Sequence, residues 1–486
     1  MSASPFEGLK PEIMWKYFEA LTKIPRCSRN EAAAAKYVME QAKAKGCQAE
    51  QDQAGNVVVR VPASQGKDGA PTVVLQGHLD MVGEKDSSSP HDFDKDPIPV
   101  IREGEWLTAD GTTLGADNGV GLAASLALME DPDAVHGPLE LLFTVDEETG
   151  LTGAMEIPKG FVKGKIMLNL DSEEEGAVYV GCAGGNDTIA HLPISREAGG
   201  GDAFEVKVSG LKGGHSGLDI NLGRGNAIKV LAWYLDRLRR EVRDDLKLVA
   251  FSGGDKHNAI PREASATILL PAGKKAAAEE VLAKLQEDLK TTYSSTDEGV
   301  KIEMAGASAS SQPLGKDSRD KFLCMVMAMP HGVITMSQDV AGLVETSTNL
   351  AVARLEEQQA FLHESSRSSV APLLAQAQDE IFSLVRLSGA EPESGGGYPG
   401  WQPNMDSKVL ARAKVVHEKV TGKVPEVKAI HAGLECGIIG EKMGGMDMIS
   451  FGPQIEWPHS PSERVHIASV ERFYNFLKAL LADLAG

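Results

Sequence analysis

Cysteine is scarce in this chain, and the scarcity narrows its chemistry. There are five in 486 residues, Cys27, Cys47, Cys182, Cys324 and Cys436, scattered, odd in number and without CxxC spacing. That pattern argues against a disulfide framework and against a thiolate zinc site. Any metal here must be held by histidine and carboxylate. Long apolar runs are missing too. None approaches the ~20 residues of a membrane-crossing helix, so no membrane partner is expected. The opening MSASPFEGLKPEIMW has no apolar signal-peptide core, which makes the cytoplasm the expected location. Positive charge is also short: 49 Lys and Arg stand against 69 Asp and Glu, a formal net charge of −20. A nucleic-acid binder neutralises phosphates with basic side chains. No basic cluster here exceeds RLRREVR near residue 240, which reads as the polar face of a helix. GGHSG contains a serine, but no GxSxG elbow stands between a strand and a helix, and no phosphate-binding loop occurs among the 51 glycines. Serine-hydrolase and nucleotide chemistry drop out with them.

What is present describes an ordinary globular protein with more than one core. Hydrophobic residues make up 42% and charged residues 24%, and at about 100–200 residues per domain the length implies two to four units. Apolar residues recur at helical spacing through 11–45. Strand patterns follow at NVVVRV (56–61), TVVLQG (72–77), LELLFTV (139–145) and KIMLNL (165–170), with a helix of small apolar residues at 117–131. Strands that alternate with helices and are apolar almost throughout predict an α/β domain, a mostly parallel central sheet flanked by helices. After Gly200 the pattern changes to two successive sets of strands and helices, 204–291 and 300–386. Their similar order suggests an inserted α+β domain that is internally duplicated. SGAEPESGGGYPGWQPN (388–404) reads as the linker back. Helix, strand, strand and helix then complete the first domain. The expected division is 1–195, an insert at 196–390, and 391–486.

Five acid-and-histidine motifs fall where strands should end: His78 and Asp80 in GHLDMV, Asp117 in LGADNGVG, Glu147 and Glu148 in FTVDEETG, Asp171 in LNLDSEEEG, and His459 in EWPHSPSE. In open α/β sheets, ligands gather at the carboxyl ends of strands. Each motif has a bland reading of its own. His78 can be a satisfied core histidine, Asp117 a helix N-cap, Glu147 and Glu148 part of a solvated acidic turn, and His459 a loop histidine held between Pro458 and Pro461. Taken together, mixed imidazole and carboxylate donors suit two divalent ions that share a carboxylate. Such ion pairs, about 3.5–4 Å apart, activate a water and polarise the bond it attacks.

The same strings carry a resemblance. GHLDMV, GADNGVG, DEETG, LDSEE and PHSPSE, in this order, resemble the cocatalytic zinc aminopeptidase, carboxypeptidase and aminoacylase superfamily. The longer strings GCAGGND, GLKGGHSG, NAIPREA, GYPGWQP, HAGLECG and PHSPSERVHI are similar to its aminoacyl-histidine dipeptidase branch, over nearly the whole chain. The resemblance implies two Zn2+ per chain, with Mn2+ or Co2+ as substitutes. His78 and Asp171 would hold one ion and Glu148 and His459 the other, with Asp117 bridging. Asp80 would orient His78, and Glu147 would be the general base. A cis peptide at Asp117–Asn118 goes with the motif. The insert would be a lid, with His215 for the oxyanion and Asn258, Asn349 and Arg367 for the substrate's carboxylate or backbone. His431 would line the pocket.

The expected activity is hydrolysis of Xaa-His dipeptides such as β-Ala-His, by a water shared between the two ions with Glu147 as base. A broader dipeptidase, or an N-acyl amino acid amidohydrolase with the same two metals, is the alternative. A small dipeptide is the expected partner, and both a monomer with a double-size lid and a homodimer fit the family. A metal-stabilised binding protein without catalysis is disfavoured, because binding alone needs neither Glu147 nor Asp80.

Overall fold

The computed structural model describes residues 4–309 and 311–486. Two compact units share the chain: one runs as far as Gly181 and takes up again at Pro403–Ala429 and Leu434–Gly486, the other comprises Cys182–Gln402 and Ile430–Gly433. None of the five cysteines is in a disulfide. No helix among the described residues is long and apolar enough to cross a membrane.

The first unit is built on an eight-stranded sheet. Its order is Gln48–Gln51, Val57–Val61, Leu139–Thr144, Val73–His78, Ile166–Asn169, Asp447–Ser450, Ala177–Cys182, Glu426–Ile430. Val73–His78 and Leu139–Thr144 are buried at every residue, which is why they read as unbroken apolar runs: both of their faces are covered. The sequence predicts a mostly parallel sheet, and 139–144, 73–78, 166–169 and 447–450 pair parallel in turn, as do Ala177–Cys182 and Glu426–Ile430, through the bonds Glu426 N–H to the Gly176 carbonyl and Ala183 N–H to the Ile430 carbonyl. Gln48–Gln51 and Val57–Val61 pair antiparallel, and Ala177–Cys182 runs antiparallel to Asp447–Ser450. Gln48–Gln51 and Val57–Val61 are joined by a short loop, and antiparallel strands need no crossover between them.

The helical stretch expected at 11–45 divides into Glu12–Leu21 and Ala32–Ala44, with Pro25 in the break, where its missing N–H cannot serve a helix. The helix Ala116–Ala127 is buried along its whole length. Its small residues let it lie close to the sheet: a Cβ on Gly121 would come within 2.6 Å of the Leu170 carbonyl oxygen. A four-stranded sheet of short strands, Ile455–Glu456, Arg464–His466, Trp106–Ala109 and Val100–Glu103, gives too short a pattern to be read from sequence. The unit's core includes Phe18, Leu75, Leu141, Phe143, Tyr474 and Leu477.

The second unit contains one long antiparallel sheet with its own core around Leu231, Tyr234, Phe251, Ile268 and Phe322. From one rim the order is Lys301–Gly306, Asp202–Ser209, Ala264–Leu270, Lys247–Gly253, then Val344–Leu355, Gln359–Ser368, Gly184–Pro193, Glu391–Tyr398. Each half has the same layout. Counted along the chain, the fourth strand lies at the rim, then the first, the third and the second. The two second strands meet at the middle, antiparallel, through Ser252↔Arg354 and Gly253↔Ala353. The duplicated order is therefore present, but its members differ from the expected ones. Lys301–Gly306 closes the first set, and the second set takes its opening strand from Gly184–Pro193, ahead of the first set in the chain. The stretch read as a linker at 388–404 contains Glu391–Tyr398, an edge strand on Gly184–Pro193. An edge strand has only one neighbour to pair with, so it tolerates the glycines and proline that imitate a linker.

Candidate metal centre

Three neighbouring parallel strands end beside one another and deliver three of the motifs. His78 is the last residue of Val73–His78. Glu147 and Glu148 follow Leu139–Thr144, and Asp171 follows Ile166–Asn169. His459 comes from the loop between the short strands Ile455–Glu456 and Arg464–His466, beyond the next sheet strand Asp447–Ser450. Asp117 enters from the first turn of Ala116–Ala127, and the Asp117–Asn118 peptide is cis. Two residues that aim these groups, Asp146 and His459, have left-handed backbones at φ 52° and 57°, a conformation L side chains seldom adopt outside functional turns.

Two sets of three ligating groups result, His78–Asp117–Asp171 and Asp117–Glu148–His459, each with its donor atoms within 4.8 Å of one another. His78 Nε2 lies 3.2 Å from Asp117 Oδ1 and 3.2 Å from Asp171 Oδ1. His459 Nε2 lies 3.2 Å from Asp117 Oδ2 and 2.9 Å from Glu148 Oε2. The two histidines thus face opposite oxygens of one carboxylate. Donors on zinc at about 2.0–2.1 Å are separated by about 3.3 Å along a tetrahedral edge. Asp171 Oδ1 and Glu148 Oε1 are buried and have no hydrogen-bond partner, as oxygens reserved for a cation would be. A third set joins His78, Glu147 and Glu148, so Glu147 borders the same space.

The electrostatics show how much negative charge is packed here. Burial pushes Asp171 up to about 7 and Glu435 up to about 8, with the neighbouring carboxylates adding to both shifts. Burial, with Asp117 and Asp171 beside it, takes Glu173 up to about 9. Glu147 is raised by burial and by Asp171, Glu435 and Glu148. His459 is pushed up to about 11 by its bonds to Asp117 and Glu148. Burial opposes charge on His78, but Asp171, Asp117 and Asp80 together raise it well above its ordinary value. Burial and mutual repulsion raise these carboxylates, and divalent cations would relieve that repulsion. The imidazole and carboxylate donor set fits them.

Comparison with known proteins gives the family. The profile of peptidase family M20/M25/M40 matches residues 74–483. The chain belongs to peptidase family M20/M25/M40. This M20 peptidase is 41% identical to the cytosol non-specific dipeptidase of Escherichia coli (strain K12) over 487 residues, covering 99% of each. It superposes on the solved aminoacylhistidine dipeptidase from Vibrio alginolyticus with a TM-score of 0.90 at 41% identity, over 99% of this chain and 98% of that one. The aminopeptidase PepT from Bacillus cereus shares the fold at 16% identity, with a TM-score of 0.57 over 98% of this chain and 100% of that one.

Several residues of the M20 peptidase hold the donors in place. Asp80 Oδ1 is 3.4 Å from His78 Nδ1. The same carboxylate accepts the backbone N–H of Glu147 (3.1 Å) and of Glu148 (3.2 Å) and the Ser28 hydroxyl (2.8 Å). One side chain therefore sets both the histidine and the turn of the glutamate pair. The motif reading passed over three further groups. The buried Arg26 guanidinium donates to the carbonyls of Leu79 (3.0 Å), Asp80 (2.7 Å) and Gly115, tying the His78 loop to the Asp117 loop. Glu31 accepts the N–H of Asp146 at 3.0 Å. Glu463 accepts four backbone N–H groups leading into Asp117. Glu463 stands inside PHSPSE, so a signal existed for it. Arg26 and Glu31 had none. Of the acidic run after Asp171, Glu173 is drawn into the cluster, while Glu174 pairs with Lys428 and Tyr179 and Glu175 with Arg472. Glu435 accepts from Gln76 and Thr144, both at 2.6 Å.

The five residues expected to bind substrate, His215, Asn258, Asn349, Arg367 and His431, all lie in the second unit. His215 Nδ1 accepts the N–H groups of Gly217 (3.1 Å) and Leu218 (3.0 Å), so in the neutral ring the proton sits on Nε2. Burial, with Arg367 nearby, holds His215 down at about 4, and the same two causes hold His431 at about 3. Both rings are neutral at pH 7, and His215 presents an N–H donor. Arg367 is buried and donates to Tyr398 (2.8 Å) and Ser216 (3.4 Å). His431 contacts Ser347 Oγ at 2.7 Å. Asn349 donates to the Ala259 carbonyl at 2.9 Å, and its Oδ1 has no partner. Asn258, whose side chain is exposed, accepts at its carbonyl from Ser216 N–H (2.9 Å).

Proposed function

We propose that this M20 peptidase is a cytoplasmic dipeptidase that hydrolyses Xaa-His dipeptides, β-Ala-His among them, with two zinc ions. One observation carries the reading: two sets of three ligating groups share Asp117, and Glu147, a carboxylate that neither of those sets uses, borders them. His78 and Asp171 would hold one ion, Glu148 and His459 the other, and Asp117 both. Two divalent cations, when bound, lower the pKa of water and polarise the amide carbonyl.

The chain's own side chains account for the rest. Glu147 accepts a proton from the attacking water as its oxygen bonds to the amide carbon. It then delivers that proton to the amine nitrogen as the carbon–nitrogen bond breaks, so no acyl-enzyme forms. Asp80 keeps His78 and the Glu147 turn aligned. His215 donates its Nε2 proton to the oxyanion, and Arg367 pairs with the substrate carboxylate in a fork suited to two oxygens. Asn258, Asn349 and His431 complete recognition of the dipeptide backbone.

The test is hydrolysis of β-Ala-His by metal-stripped protein and again after zinc is restored, with bound metal counted. Activity that returns as two zinc ions fill the centre sharing Asp117, and that Asp117→Ala abolishes, supports the reading. Two bound ions without cleavage of any Xaa-His dipeptide would leave a working centre with another substrate. Likeness to the Escherichia coli non-specific dipeptidase favours a wider dipeptide set as the second reading, ahead of N-acyl amino acids. Manganese and cobalt, which accept the same donors, are expected to substitute for zinc.

A further inference from the structure

The second unit carries its own cluster of ligating side chains, apart from the residues assigned above. Asp187 lies in Gly184–Pro193 and His363 in the adjacent strand Gln359–Ser368. There Asp187 pairs in register with Ser365, which places His363 two residues away, on the same face. His257 reaches them from the loop after Lys247–Gly253. One donor atom from each of the three residues falls within 4.8 Å of the others. Asp187 Oδ2 is 3.3 Å from His363 Nε2 and 3.5 Å from His257 Nδ1. The two rings stack, 5.9 Å between centroids and 21° between planes.

These distances suit a shared cation. A charge-assisted N–H···O bond between imidazolium and carboxylate closes to about 2.7–2.9 Å. The observed separations are longer, and they match the ~3.3 Å edge of a tetrahedron around a zinc ion with bonds near 2.0–2.1 Å. They also match the 3.2 Å separations between donors in the first unit's metal centre. His363 Nε2 is buried, and the group it faces is the Asp187 carboxylate. Asp187 is held from behind: the Ser365 hydroxyl bonds its carboxylate, and Gln378 donates to its carbonyl at 3.3 Å. Supports of this kind orient a ligand from outside the coordination sphere. His257 is 57% exposed, which leaves a path for an ion and an open side for a water.

We propose that Asp187, His257 and His363 form a separate site for a borderline divalent cation of the zinc class, the two imidazoles and one carboxylate completed by water. The ion would tie the loop bearing His257 to two strands of the sheet, and its role would be structural. Asn258 follows His257 directly, so the ion would also fix the backbone at a residue proposed to bind substrate. The assignment of the site itself does not depend on that function.

The experiment is a zinc titration of the metal-stripped, intact chain, with bound metal counted at saturation. The expected count is three for the wild type and two for His257→Ala/His363→Ala. Asp187→Asn, a milder change, should also give two. Asp117→Ala disables the shared ligand of the first unit's centre. It should still hold one zinc, and that zinc should disappear when His257→Ala/His363→Ala is added. A wild type that saturates at two ions, or a third ion that survives both sets of second-unit variants, overturns the proposal. The cluster would then be a hydrogen-bonded imidazole–carboxylate network. Because Asp117→Ala separates the two sites, failure of the hydrolytic reading and failure of this one give different counts.

Discussion

Glu463 holds the main chain of Asp117 in place. One of its carboxylate oxygens accepts the N–H groups of Leu114 (2.7 Å) and Gly115 (2.9 Å), and the other those of Ala116 (2.8 Å) and Asp117 (3.1 Å). With 2% of its surface exposed, Glu463 has little water to compete for these bonds. The residue that both histidines of the metal centre face is thus fixed by a carboxylate 346 positions further along the chain.

Glu463→Gln should therefore weaken metal binding without unfolding the protein. The amide keeps the shape, but one of its ends turns N–H groups toward backbone N–H groups. Loss of such outer support typically costs about 10–100-fold in metal affinity. Zinc affinity by competition with a chelator is the measurement, and wild-type affinity in the variant would show that Asp117 needs no clamp.

Glu147→Gln should separate binding from chemistry. The amide cannot accept the proton, so kcat should fall by about 10²–10⁴-fold. Bound metal should stay as in the wild type, because neither set of ligands that shares Asp117 includes Glu147. A variant that loses metal together with activity would make Glu147 a ligand and not the base.

Metal removal should lower the melting temperature, and zinc should restore it. Stripped of cations, Asp117, Glu148 and Asp171 face one another with only His78 and His459 between them. An ion that binds only the folded chain stabilises it by about 4 kcal/mol at a free concentration 1,000 times its Kd. Calorimetry with and without chelator tests this, and an unchanged transition would count against a site that holds metal tightly.

Acid should weaken the fold partly through His331. Burial, reinforced by Lys229, holds this ring down at about 4, against about 6.5 in an unfolded chain. Its folded pKa is depressed, so the unfolded chain takes the proton first. The stabilisation is complete above about pH 6.5 and is lost as pH falls toward about 4, up to roughly 3 kcal/mol in all. Urea unfolding at about pH 7 and about pH 5 should show a smaller loss in His331→Gln than in the wild type. Equal losses in the two chains would remove His331 from the account.

Arg367→Lys should raise KM for dipeptides more than it lowers kcat. Lysine keeps the charge but loses the two-pronged geometry and the bond to Tyr398. A change of about 10-fold or more in kcat/KM is expected from losing a bidentate contact with a carboxylate. An unaltered KM would place the carboxylate elsewhere.

The sequence alone supplied the donors of the metal centre. His78, Asp171, Glu147 and Glu148 stand at the ends of apolar runs, and a run of that kind predicts a strand whose carboxyl end opens toward a ligand. Asp117 and His459 were legible only as members of longer motifs, since a lone aspartate at a helix start or a lone loop histidine has commoner uses. The glycines and proline of Glu391–Tyr398 look like a linker in sequence; what makes it a strand is the neighbour, Gly184–Pro193, to which it bonds.

Local composition thus determined the chemistry available to this chain: imidazoles and carboxylates without thiolates, placed at strand ends and turns. The tertiary structure decided which of them meet. Arg26 bridges the His78 and Asp117 loops, Glu463 clamps Asp117, and Asp187, His257 and His363 converge although no motif links them. The physical reason is range. Helix and strand periodicity act over a few residues, whereas hydrogen bonds and ligand geometry join residues by distance in space. Only the folded sheets bring positions more than a hundred residues apart to within 3–4 Å.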